Sequence, residues 1–313
     1  MSRLFKIKIE NQNLEELINY VLRENPMHKK FINSSLSYIS TQETKDLCSY
    51  IDFCLSEGLS IEYIAESYLT IVEDTFREQI YFNKYGKYRN KSFSDVSDDV
   101  YFNKEYMDRY MYGLAISSFL WPNHVGLSRF FYRTLPKVKG GNYLEIGPGH
   151  GYFLMRAMQA TSFNQFVGVD ISEASIKQSE KIISIMSKSK LDRLKLIHDD
   201  FLESSSLAPD SFDCIVMGEV LEHVEVPEIF LSRIYELAKD DAHIYISTCI
   251  NAPAIDHIYL WKNTDTLEYL IASNGFEILQ AERLPYEGTT LSESIEKKLA
   301  INVAYILRKK NGS

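Results

Sequence analysis

Residues 142–153 read NYLEIGPGHGYF: an apolar run long enough for a short strand, three glycines at alternate positions, then an apolar helical opening. Glycine weakens regular structure, so three between two periodic segments need a local reason. A strand feeding a turn at 147–151 and a helix from Tyr152 supplies one. At Gly147, Gly149 and Gly151 the backbone can approach a ligand where a Cβ would collide, and the helix N-terminus offers amide donors. The turn is expected to hold a nucleotide or cofactor. It is not a dinucleotide fingerprint, because glycines at 147 and 149 require another at 152, which is Tyr152; nor does it carry the Gly-Lys-Ser/Thr of a P-loop.

From residue 141 the chain alternates. Runs suited to buried strands (NYLEI, QFVGVD, LKLIHDD, SFDCIVMG, AHIYISTC) take turns with helical stretches (GYFLMRAMQA, SEASIKQSEKIISIMS, PEIFLSRIYELAK, DTLEYLIASNG). That rhythm predicts an α/β fold, a parallel sheet with helices on both faces. Two further strand-like runs, FEILQAERLPYEG and INVAYILRKK, flank a helical TLSESIEKKLA. The first 85 residues read as helices: 13–25 with Asn13 as N-cap, 44–58 stopped by Gly58, and 60–86 between Ser60 and Gly86. The polar stretch 87–100 has the composition of a linker, and the aromatic-rich segment 106–135 is expected to break at Pro122 and Asn123. Its aromatics fit either a packed helical cap or the wall of an apolar pocket. The chain thus divides into an all-helical region, 1–135, read as a cap or substrate domain, and an α/β domain, 136–313.

The pattern Glu145-x-Gly147-x-Gly149-x-Gly151 resembles motif I of class I S-adenosylmethionine (SAM)-dependent methyltransferases. The acid fits chemically, since the SAM sulfonium and ammonium are cations that a carboxylate attracts. The resemblance extends in order along the chain from residue 140 to 310. It implies a seven-stranded Rossmann-like sheet, with Asp170 accepting the ribose hydroxyls and Ile171 packing on adenine. Asp200 would accept the adenine amino group, with the Phe201 amide reaching the ring, and Met217 and Gly218 would face the methionine part of SAM. The helical region resembles no family; within it SFLWPNH (118–124) is expected to close over the cofactor through Trp121 or His124, the alternative being plain packing.

Methyl transfer is an in-line displacement, so a protein must align the acceptor, exclude water and, for a hydroxyl acceptor, remove a proton. The segment GEVLEHV lacks the Asn/Asp-Pro-Pro-aromatic sequence of amino-methylating enzymes and is similar to small-molecule methyltransferases. Glu219, Glu222 and His223 form an E-x-x-E-H arrangement. It resembles the divalent-metal motif of ubiquinone-pathway O-methyltransferases and small-RNA 2′-O-methyltransferases, which implies Mg²⁺ or a transition metal, with His257 completing the set. Alternatively these residues only cap a helix and line the cleft. After the fifth strand, 248–261 carries Asp256 and His257, and His257 is the first general-base candidate because imidazole titrates near neutrality. Sequence neighbours often point apart, so a dyad between the two does not follow.

Composition narrows the rest. A net charge of −9 over 313 residues disfavours a nucleic-acid partner. No run approaches the roughly 20 apolar residues of a membrane span. The N-terminal stretch lacks the apolar core of a signal peptide, and the four cysteines form no CxxC pair, so a reduced, cytoplasmic protein is expected. The oligomeric state, a homodimer included, stays open. The expected activity is SAM-dependent methylation of a small-molecule substrate in metabolite tailoring, O-methylation first and C-methylation next. The alternatives are a non-catalytic SAM-binding regulator and an RNA 2′-O-methyltransferase.

Overall fold

Local capping chemistry sets the first helices of the computed structural model, which describes residues 10–310; the alternating stretch at 1–9 lies outside them. Helix α1 (Gln12–Glu24) is capped by Asn11, whose side chain accepts the Leu14 N–H at 2.9 Å, so the boundary falls two residues before the expected Asn13. Asn11 has the extended backbone that a cap needs, while Asn13 already lies in the first turn. α2 (Lys29–Tyr38) follows. α3 (Thr41–Ser56) opens with a reciprocal Ser40–Glu43 capping box. α4 (Ile61–Tyr85) runs from Ser60 to a left-handed Gly86, as its sequence predicts. α5 (Lys104–Leu120) and α6 (Pro122–Thr134) are separated at Trp121, whose extended backbone is what a following proline favours.

Residues 87–103 are not a linker. They form a strap of short turns fastened to a distant loop. The Ala252 N–H donates to the Tyr88 hydroxyl at 3.1 Å, the Asn90 amide to the Ile255 carbonyl at 2.7 Å, and the Phe93 N–H to Glu225 at 2.8 Å. Polar composition describes a solvated linker and a strap with remote partners equally well.

The α/β part runs β1 (Asn142–Ile146), α7 (Tyr152–Ala160), β2 (Gln165–Asp170), α8 (Glu173–Met186), β3 (Leu194–His198), β4 (Phe212–Gly218), α9 (Pro227–Leu237), β5 (Ala238–Ile250), α10 (Thr264–Ser273), β6 (Phe276–Leu284), α11 (Leu291–Glu296) and β7 (Ile301–Lys309). The strands form one seven-stranded sheet in the order β3-β2-β1-β4-β5-β7-β6, parallel through β5, with β7 antiparallel to both its neighbours. Strand order reverses between β1 and β4, and ligands bind in the crevice at such a switch point, beyond the carboxyl ends of the strands.

The pleat sends alternate residues to two cores. Tyr143, Val216 and Tyr245 join a cluster that also contains Leu17, Tyr50 and Phe131 of the helical region. Leu144, Met217 and Ile246 face the other way, against Leu231 of α9 and Leu267 of α10. One apolar cluster therefore runs unbroken from α1 to the sheet. The four cysteines are free, three of them buried. No helix among the described residues is long and apolar enough to cross a membrane.

Candidate active site

At the end of β1 the turn is built from left-handed glycines, with φ of +64° at Gly147, +54° at Gly149 and +75° at Gly151. Their roles differ. A Cβ on Gly151 would lie 2.6 Å from the Ser179 Cα, so this glycine lets α7 pack on α8, and it is not among the residues lining the cleft. Gly147 and Gly149 do line it. The Gly149 N–H donates to Asp170 Oδ2 at 3.1 Å, and the Ser172 N–H to Oδ1 at 2.9 Å. These bonds aim the carboxylate; burial still raises its pKa to about 6. Glu145 is buried beneath the turn, accepts a hydrogen bond from the Tyr143 hydroxyl, and is pushed by burial up to about 8.

Ile171, Asp199, Asp200 and Phe201 border the same space. Asp200 Oδ1 accepts the Leu202 N–H at 2.8 Å, and Phe201 packs on Phe230 with centroids 5.6 Å apart. Gly218 lines the cleft, but the Met217 side chain does not: it is fully buried in the second core, and its neighbour Val216 borders the cavity. Motif position gives the strand end but not which residue of the pleat faces the ligand.

Beyond β4 the backbone turns through a left-handed Glu219, φ +52°. Glu219 Oε2 accepts the Asn302 amide at 2.9 Å, while Oε1 is buried with no partner, and burial raises the group to about 7. Glu222 is fully buried beneath the Thr248 hydroxyl, which donates at 2.7 Å, and desolvation with the neighbouring Glu219 holds its pKa well above the usual range.

Asp256 and His257 form no dyad, the outcome their adjacency in sequence left open; Asp256 faces His223 instead. His223 Nδ1 lies 3.1 Å from the Asp256 carbonyl and 3.4 Å from its carboxylate. Two hydroxyls from the helical region, Tyr110 at 3.0 Å and Tyr101 at 3.4 Å, donate to the same carboxylate. His257 Nδ1 sits 2.6 Å from the Ala252 carbonyl, an acceptor only, so Nδ1 carries the proton and Nε2 is the free acceptor. Burial, then the nearby His223, depresses His257 to about 4. The two imidazoles meet edge-on, centroids 4.8 Å apart.

The Glu219, Glu222, His223 and His257 set resolves into two groups that share Glu222. Glu222, His223 and His257 place ligand atoms within 4.8 Å of one another, and so do Glu219, Glu222 and Cys249. Nothing in the sequence flagged Cys249, a lone thiol in a strand.

Both ends open into one cavity of about 910 Å³, near the top of the roughly 300–1,000 Å³ of small-molecule sites, enough for a donor and an acceptor together. Its far wall comes from α4, α5 and the stretch 118–124, including Ile71, Met107, Met111 and Trp121. The Trp121 N–H donates to the Tyr68 hydroxyl at 3.2 Å, and that oxygen lies 2.7 Å from His28 Nε2. His124 lines the cavity too, with Nδ1 3.1 Å from Ser117 Oγ and its pKa depressed to about 4 by burial. Tyr101, Tyr110 and His28 were not distinguished in the sequence, where they are a few among many aromatics with no telling spacing.

Comparison with known proteins gives this architecture its context. A family model described as a methyltransferase domain matches residues 124–281. Over 109 residues the chain is 34% identical to the mitochondrial ubiquinone biosynthesis O-methyltransferase of Schizosaccharomyces pombe, a match covering 35% of this chain and 38% of that one. The chain therefore aligns with well under half of that relative's length. Among solved structures, Haemonchus contortus phosphoethanolamine N-methyltransferase 2 superposes with a TM-score of 0.53 at 18% identity, covering 71% of this chain and 60% of its own. The cyclase SpnF superposes at 0.51 with 13% identity, covering 62% and 83%. These two establish the fold alone, and a cyclase on it shows that the fold does not fix the reaction.

Proposed function

Because the chain belongs to the methyltransferase-domain family and is a class I SAM-dependent methyltransferase, we propose that it methylates a hydroxyl group of a small molecule. The observation that carries this reading is a single cavity joining the glycine turn to the His223–Asp256 pair. The donor end fits SAM chemically: buried Glu145 and half-buried Asp170 suit a cationic ligand, and Gly147 and Gly149, both left-handed, present no side chain to it. Glu145, Gly147, Gly149, Asp170, Ile171, Asp200, Phe201 and Gly218 would hold it. When bound, SAM supplies a methyl group already activated on a sulfonium.

The remaining work belongs to the chain. Asp256 faces His223 Nδ1, which favours the proton there and leaves Nε2 as the acceptor for a hydroxyl proton. The same carboxylate stabilises the imidazolium that results. His257 has the Ala252 carbonyl and the Cys249 thiol, but no carboxylate, at Nδ1 and holds a proton poorly at neutral pH, so it orients the acceptor while His223 acts as the base. The strap and the aromatic wall exclude water.

A metal-assisted reading rests on the Glu222–His223–His257 group. Two nitrogens and one oxygen suit a transition metal better than Mg²⁺, which prefers oxygen. Bound there, the metal would acidify the acceptor hydroxyl. Dialysis against a chelator separates the two: unchanged turnover supports the imidazole base, and loss restored by Mn²⁺ or Zn²⁺ supports the metal. The function itself is tested with methyl-labelled SAM and a panel of phenols and alcohols, reading products by mass spectrometry. Label on oxygen is expected; label only on carbon or nitrogen would contradict the proposal.

A further inference from the structure

The cavity is acidic to an unusual degree for a site expected to hold two molecules: nine carboxylates border it and, among the described residues, no lysine or arginine does. Four of the nine, Glu145, Asp170, Asp199 and Asp200, belong to the donor end, where a cationic ligand accounts for them. The other five do not. Glu219, Glu222, Glu225, Asp256 and Glu287 border the cavity outside that group, Glu225 and Glu287 being exposed to solvent.

Their partners are neutral donors: the Asn302 amide for Glu219, Thr248 for Glu222, the Phe93 N–H for Glu225, two tyrosines for Asp256 and Ser34 for Glu287. Such donors satisfy lone pairs but bring no positive charge into the cavity. None of the nine is ion-paired with Lys or Arg among the described residues; the one contact of that kind is Asp256 with His223. The opposing wall is apolar, with Ile71, Met107, Met111, Leu114, Phe93 and Trp121.

Phosphate, sulfate or carboxylate groups are held by Arg, Lys or amide clusters, and a buried anion without them suffers both desolvation and repulsion. We propose that the acceptor has an apolar body and carries no anionic group: it is uncharged or cationic, and the cavity rejects phosphorylated and carboxylated analogues. This rests on the reading of the site as a joint donor and acceptor cavity, and it adds a selection rule that the reaction class does not contain.

The test uses the full chain saturated with S-adenosylhomocysteine, whose own binding is measured first by calorimetry. Two matched probe pairs are then titrated, 4-butylphenol against 4-butylbenzoate and 2-naphthol against 2-naphthyl phosphate. Expected is binding of the neutral member at least tenfold tighter in each pair. Thr75→Lys, which places one cation on the α4 wall, should narrow that preference severalfold. Equal or tighter binding of the anions would overturn the proposal, as would failure of both neutral probes on protein that binds S-adenosylhomocysteine. Failure of S-adenosylhomocysteine itself would instead remove the donor-site reading beneath it.

Discussion

At the scale of single residues the account turns on where charge is buried. Glu145 sits in the protein interior with a pKa near 8, well above that of an unfolded chain, because burial disfavours its ionised form. The folded, ligand-free protein therefore binds a proton that the unfolded chain releases. Stability falls as pH rises from about 5 through 8, and the cost is complete above that. Glu145→Gln removes the cost. The variant should melt higher than the parent without ligand, by about 2–4 °C at pH 9 and by little at pH 5, in thermal denaturation scans. It should also bind SAM about 10- to 100-fold more weakly, because the attraction to the cation goes with the carboxylate. Asp256 makes a second case. Asp256→Asn keeps the shape but no longer stabilises an imidazolium at His223, so kcat should drop about 100-fold or more while the SAM dissociation constant stays put. The pH–rate profile of the variant should move away from that of the parent. An unshifted profile would mean that the pair is structural.

At the scale of elements, both ends of α4 were legible in the sequence, the starts of α1 and α3 were misplaced by two or three residues, and contacts between remote segments were not legible. Ser60 and Gly86 announced α4 because capping is local, a side chain bonding an amide three residues on or a glycine taking a left-handed turn. The strap was misread because its hydrogen-bond partners lie about 130 to 165 residues further along the chain. The same limit hid the partner of Asp256: only the fold brings His223, from beyond the end of β4, against its carboxylate and against the His257 ring. Two element-scale outcomes follow. Gly151→Ala should lower stability by about 1–3 kcal/mol, seen in denaturant unfolding, because the new methyl meets the Ser179 backbone on α8 and the left-handed φ penalises any side chain. The double change Tyr88→Phe and Asn90→Ala should unfasten the strap and raise KM for the acceptor severalfold, leaving SAM affinity unchanged in calorimetry.

At the scale of the whole molecule, the helical region and the sheet share one apolar cluster, and the helices supply both a wall of the cavity and the hydroxyls that aim Asp256. A parallel sheet covered by helices was legible from the alternation of strands and helices, and its seven strands from the resemblance; the contribution of the helical region was not, since aromatic density marks a core and a binding wall alike. The molecule folds around an acid-lined pocket suited to a cation. A cation entering it must draw protons off Glu145, near 8, and Asp170, near 6, in the free protein. SAM affinity should therefore strengthen from pH 6 to 8 and level off above. Titrating SAM into the protein by calorimetry at pH 7, in two buffers of different ionisation enthalpy, measures this directly. Tight binding with net release of protons to the buffer is expected; proton uptake, or no binding heat in either buffer, would rule out a cation site built on these carboxylates.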